Sequence, residues 1–132
     1  SKQMHERIKN DNRVLNLEKT HVRELNFNVI TDHLDGCVID VSFISLDKVF
    51  PFIHPYLKSG STVIALVKPQ FEVGKEHIAK GGIVRNKKIY PEVIEKIIKH
   101  ALLSNLTYQE HIESPILGGD GNQEFLMLLQ KQ

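Results

Sequence analysis

The chain has 132 residues and 15.1 kDa, with 41% hydrophobic and 25% charged residues. That size and balance suit one globular domain and exclude a disordered, collagenous or disulfide-stapled chain. Its 17 Lys and Arg against 16 Asp and Glu leave a formal charge of +1, so any nucleic-acid-binding patch must be local.

Residues 12–18 (NRVLNLE) carry Val14, Leu15 and Leu17 and predict a short first strand. Residues 36–41 (GCVIDV) predict a second, and residues 62–67 (TVIALV) a third, introduced by a turn at Lys58-Ser59-Gly60-Ser61. The last two are continuous apolar runs rich in Val and Ile, the pattern of parallel strands buried on both faces. Between them, Leu46, Val49, Phe50, Ile53 and Leu57 stand at helical spacing, but Pro51 and Pro55 predict a kinked or broken helix. Pro91–Ser104 predicts the best helix. Val93, Ile94, Ile97, Ile98, Ala101 and Leu102 make one stripe, and Glu92–Lys96 and Glu95–Lys99 are i,i+4 pairs. Residues 106–113 (LTYQEHIE) alternate as a half-exposed edge strand, whereas the strand at 124–131 opens on the apolar EFLMLL and belongs in the sheet interior. The order implies an α/β sheet, mostly parallel with an antiparallel C-terminal hairpin.

The lone cysteine, Cys37, excludes an internal disulfide, fits a reducing compartment and reads as a small core residue. No unbroken apolar run exceeds Val63–Val67, and a membrane span needs ~20 residues. The opening SKQMHERIKN lacks the apolar centre of a signal peptide. The seven histidines have no metal-ligand spacing, so no metal is expected.

Asp40 lies at the carboxyl end of the second predicted strand and Lys68 at that of the third. Glu124 begins the last strand, whose antiparallel course brings its amino end to the same edge. In open α/β sheets the ligand site lies at the carboxyl ends of the strands. Taken singly, Asp40 suits a turn cap, Lys68 a solvated strand end and Glu124 a hairpin charge. Three such groups converging on one rim point to an active site. The segment VGKEHIAKGGIVRNKK, 73–88, carries Lys75, Lys80, Arg85, Lys87 and Lys88 around three glycines; it suits a solvated crossover loop or a basic loop that holds RNA phosphates. GGDGN at 118–122 precedes no helix, so it reads as a turn that positions Glu124, not as a phosphate cradle.

The blocks DVSFISL, ALVKPQFEVGKEHIAKGGIVRN and SPILGGDGNQEFLMLL, with NRVLNLEKTHVREL before them, resemble the TlyA-type family of S4-domain, FtsJ-like RNA methyltransferases, often labelled hemolysins. The resemblance runs over essentially the whole chain. It implies an incomplete Rossmann-like sheet and a cytoplasmic enzyme that uses S-adenosylmethionine to methylate ribose 2′-hydroxyls of ribosomal RNA. It implies Asp40, Lys68 and Glu124 as three members of a Lys-Asp-Lys-Glu tetrad, Glu18 and Asp40 as cofactor-binding residues, and the basic loop as the RNA contact. The family's S4 domain, glycine-rich cofactor loop and first tetrad Lys have no counterpart in these residues. The chain therefore resembles the C-terminal part of the methyltransferase domain, inactive by itself and self-associating through an exposed sheet edge around residues 12–41. His21 stands where the family pattern has Asn, and Tyr90 where it has His. The competing readings are a membrane-acting hemolysin and a non-catalytic RNA-binding piece.

Overall fold

The computed structural model describes residues 4–132; Ser1–Gln3, the start of the polar opening run, lie outside the described residues. The elements in chain order are α1 (Glu6–Lys9), β1 (Leu34–Ile39), α2 (Phe50–Ile53), β2 (Leu57–Val67), β3 (Ile78–Ala79), β4 (Ile83–Val84), α3 (Tyr90–Leu103), β5 (Leu106–Glu113) and β6 (Phe125–Lys131). Four strands form one sheet in the order β1-β2-β6-β5, and β3 and β4 form a separate two-stranded ribbon. β1 pairs parallel with β2, while β6 pairs antiparallel with both β2 and β5.

The fold is mixed α/β and ends in the expected antiparallel hairpin, with β6 inside the sheet and β5 at its edge. The strand expected at 12–18 does not form; residues 12–18 are turn and irregular chain. A strand needs a neighbour to hydrogen-bond its exposed N–H and C=O groups. None of the described strands lies beside this segment, so its apolar residues have no ladder to join.

One further expectation changes in detail, and another is met. The Lys58-Ser59-Gly60-Ser61 turn is absorbed into β2 as an irregularity, where the register jumps from Leu34 opposite Leu57 to Gly36 opposite Thr62. Gly60 there takes a φ of 84°, which a side chain would resist. The prolines break the apolar stripe at 46–57 into three pieces: a 3-10 turn at Leu46–Lys48, the single turn of α2, and another 3-10 turn at His54–Tyr56.

One face of the sheet carries the core. Val63, Ala65, Val67, Met127 and Leu129 point into it with no exposed area, against Phe50 and Leu46 from the broken helix and Val93, Ile97 and Ala101 from α3. Each such large side chain contributes about 1.5–3 kcal/mol on leaving water. The other face is open: Val38 is 77% exposed and Ile64 38%. Burial on both faces, expected from the apolar runs, is therefore not met, because no helix among the described residues packs over that side.

Candidate active site

β1 ends at the buried Ile39, and Asp40 follows it into solvent. β2 ends at Val67; Lys68 follows, and Pro69, which has no N–H for the ladder, closes the strand into a 3-10 turn. The parallel register of β1 and β2 carries both chain ends out at one rim. There the Lys68 ammonium lies 2.7 Å from Asp40 Oδ1 and donates to Ser42 Oγ at 3.1 Å. The lysine side chain is only 13% exposed, whereas the Asp40 side chain is 66% exposed. The ammonium is thus held on two sides by oxygen acceptors.

Glu124 reaches the same rim from the opposite direction. Val67 pairs with Phe125, so the next rung sets Lys68 across from Glu124. The Glu124 side chain is buried and accepts a hydrogen bond from Gln70 Nε2 at 2.9 Å. It lies directly over Gly118, where an added Cβ would sit 2.5 Å from Glu124 Oε2. The glycine turn therefore does serve the carboxylate, through close approach at Gly118 and a φ of 85° at Gly121. No ion pair within 4.0 Å joins Lys68 to Glu124; Lys68 is paired with Asp40, and Glu124 with Gln70. Gln70 Oε1 is buried without a partner, an acceptor beside Glu124 open to a donor.

Some contributors were not legible in advance. Ser42 and Gln70 are ordinary polar residues whose value lies wholly in their position. Glu72, whose side chain is 2% exposed, accepts from Ser45 Oγ, from Leu46 N at 3.0 Å and from Lys96 Nζ at 3.3 Å. It ties the chain after β1 to the chain after β2 and to α3, and so braces both flanks of Lys68. Phe43 is 89% exposed, carries a φ of 62° and packs its ring 4.8 Å from Phe71. A bulky residue at positive φ is uncommon and its cost is sustained by the surrounding structure. The sequence signal for it was an aromatic residue in a strand-end turn, DVSFISL.

Lys75, Lys80, Arg85, Lys87 and Lys88 are all exposed. Their segment is more ordered than a loop: β3 and β4 form a ribbon that pairs Ile78 with Val84 and turns through Gly81 and Gly82 at φ 90° and 80°. Asn122, 2% exposed, clamps it, accepting from Val84 N at 3.0 Å and donating to Gly82 O at 2.8 Å. The glycine turn thus has a second task that its sequence did not announce.

The two residues assigned to the cofactor do not line one cavity. Glu18 accepts from Asn16 Nδ2 at 3.1 Å and lines an open cavity of about 720 Å³ formed by residues from Met4 to His21, and Asp40 is not part of its wall. A half-buried carboxylate suits ribose hydroxyls, and the exposed carboxylate at Asp40 suits a cationic group. The described residues thus fit S-adenosylmethionine in part. Cys37, partly buried, packs against the core, and burial pushes its thiol above its usual range. No group of three or more His, Cys, Asp or Glu suited to a metal occurs among the described residues. No helix among them is long and apolar enough to cross a membrane.

The family model for FtsJ-like methyltransferases matches residues 1–131. The chain belongs to the FtsJ-like methyltransferase family. It is 40% identical over 124 residues to the Bacillus subtilis protein YqxC, which carries an rRNA methyltransferase name, covering 93% of this chain and 44% of that protein. It is 34% identical over 125 residues to the 16S/23S rRNA (cytidine-2′-O)-methyltransferase TlyA of Mycobacterium tuberculosis, covering 95% of this chain and 47% of that one. A hemolysin-named crystal structure from Lactococcus lactis superposes with a TM-score of 0.92 at 37% identity, over 100% of this chain and 64% of that one. The chain spans about half the length of the curated relatives it matches.

Proposed function

We propose that this chain carries the catalytic rim of an S-adenosylmethionine-dependent methyltransferase that modifies a ribose 2′-hydroxyl of ribosomal RNA in the cytoplasm. The observation that supports this most is the enclosed Lys68 ammonium, paired at 2.7 Å with Asp40 at the strand ends. A 2′-hydroxyl is a weak nucleophile and must lose its proton as it attacks. Asp40 and Ser42 fix the position of Lys68 Nζ, and Glu124 stands across the ladder from Lys68, bonded by Gln70 and lying against Gly118. Such a lysine steadies the attacking oxygen by donating to it as its proton is lost. The cofactor supplies the methyl group, and Asp40 and Glu18 are the residues of this chain assigned to hold it. Phe43 offers an exposed ring beside Ser42 against which the target base stacks. The basic ribbon at 75–88 holds neighbouring phosphates.

In the whole gene product that contains residues 1–132, Lys68→Ala is expected to lower methyl transfer to ribosomal RNA by about 10²–10⁴-fold, the usual share of a proton-transferring group. Cofactor binding measured by calorimetry stays largely intact. Full activity in the variant would overturn the catalytic assignment. The 132-residue chain by itself is expected to bind S-adenosylmethionine weakly or not at all, since Glu18 and Asp40 are not assembled on one cavity. A membrane-acting role runs against the placement of α3, whose Val93, Ile94, Ile97 and Ala101 are already buried in the core. Leakage of liposomes at micromolar chain would restore that reading.

A further inference from the structure

β5 ends and β6 begins at the same rim as the end of β2, because Val67 pairs with Phe125 and Phe125 with Glu113. Beside that shared rung, between β5 and the start of α3, lies a cleft of about 410 Å³. Phe125, buried, is its floor. Tyr90 and His111 stand on it edge to face, each at 75° to the Phe125 ring, with centroids 5.3 and 6.1 Å away. Charged ends surround these rings: Lys87 from the basic segment, Glu95 from α3 and Glu113 from β5, all exposed. The His111 ring is oriented by Tyr108, whose hydroxyl lies 2.7 Å from Nδ1, so Nε2 is left facing no partner among the described residues. Burial and the facing Glu113 carboxylate push the Tyr90 phenol above its usual range.

An aromatic floor and walls with a free carboxylate and a free ammonium at the mouth match a flat, polar-edged ring on a phosphate chain. Unpaired RNA bases are held in this way, stacked on aromatic side chains and hydrogen-bonded along their edges. A carboxylate accepts from an exocyclic amine, which cytosine, adenine and guanine carry and uracil lacks. We propose that the cleft between α3 and β5 is a second RNA-binding site, one that docks an unpaired, amine-bearing base flanking the modified nucleotide. The base stacks against His111, its amine donates to Glu113, and Lys87 takes the adjoining phosphate. This rests on the reading of RNA as the substrate class. It adds a point of sequence discrimination at the same rim, across β6 from the end of β2.

The test is an NMR titration of the 132-residue chain with short oligocytidine and oligouridine RNAs, with His111→Ala and Glu113→Gln as variants. Oligocytidine is expected to shift the signals of Tyr90, His111 and Glu113 and of the basic ribbon. Oligouridine shifts the ribbon alone. His111→Ala weakens the cleft response about tenfold, the usual scale for one stacked base, and leaves the ribbon response unchanged. Glu113→Gln removes the preference for cytosine over uracil. Ribbon shifts with a silent cleft, or equal cleft shifts with both RNAs, overturn this site and leave the RNA reading standing. Silence at both places overturns the two together.

Discussion

The N-terminal stretch 4–33 and the remainder of the chain obey the same chemistry and reach opposite outcomes. None of residues 4–33 is buried; Leu15 and Phe27 are 65% and 57% exposed. Residues 34–132 hold the sheet, α3 and every member of the buried core. The N-terminal stretch is not short of apolar side chains. It lacks a paired strand or a covered face against which to bury them. Val22 packs against the core and the Phe27 ring lies 4.9 Å from Tyr56, but much of its order comes from local devices, such as the turn in which His21 Nδ1 accepts from Arg23 N and Glu24 from His21 N, and the Asp11–Arg13 pair. Such exposed contacts contribute little, typically about 0–1 kcal/mol for an ion pair. Apolar content therefore becomes structure only where a neighbour exists to receive it.

The comparison breaks most visibly under truncation of side chains. Phe50→Ala, at a site with no exposed area, is expected to cost about 3–5 kcal/mol in urea unfolding, the range for a buried aromatic residue. Leu15→Ala should fall within about 0.5 kcal/mol, as for surface substitutions in general. Equal effects would mean that the N-terminal stretch shares the core after all.

A smaller effect is expected at the join between the glycine turn and the basic ribbon. Asn122→Ala leaves the Val84 N–H and the Gly82 carbonyl without their partner, at about 1–3 kcal/mol. Amide exchange should rise at Val84 and across the ribbon, and stay unchanged in β2 and β6. Protection lost evenly through the sheet would show that the ribbon unfolds only with the whole.

The mildest change sharpens the comparison at its boundary. β1 has β2 on one side and no strand on the other among the described residues, and Val38 is 77% exposed. Such an edge invites pairing with a second copy. Light scattering at micromolar chain is expected to detect dimers or larger species, and Val38→Lys to shift them toward monomer without loss of the fold. A monomer at 15.1 kDa before any substitution would rule out association through this edge.

The helix of α3 was legible because its apolar stripe and its first-turn Pro91 act within the segment, whereas the expected Glu92–Lys96 pair is replaced by Lys96 reaching Glu72. The interruption at 46–57 was legible for the same reason, since Pro51 and Pro55 break a helix wherever it lies. Asp40, Lys68 and Glu124 were legible as strand-end charges, and the register of β2 with its two neighbours sets all three at one rim. The bonds that hold them were not. Ser42 and Gln70 act across long separations in the chain, and no local pattern marks a serine that will accept a hydrogen bond from a distant lysine.

Composition and periodicity alone thus determined the α/β class, the interior place of β6, the edge place of β5 and the charged residues of the rim. These follow from how each segment partitions between water and an apolar face, which every segment carries with it. The tertiary structure alone decided that 12–18 is not a strand, that Val38 and Ile64 stay in water, and that Lys68 pairs with Asp40 while Glu124 bonds Gln70. A strand, a buried face and an ion pair each need a second partner, and only the folded chain determines which partner is within reach.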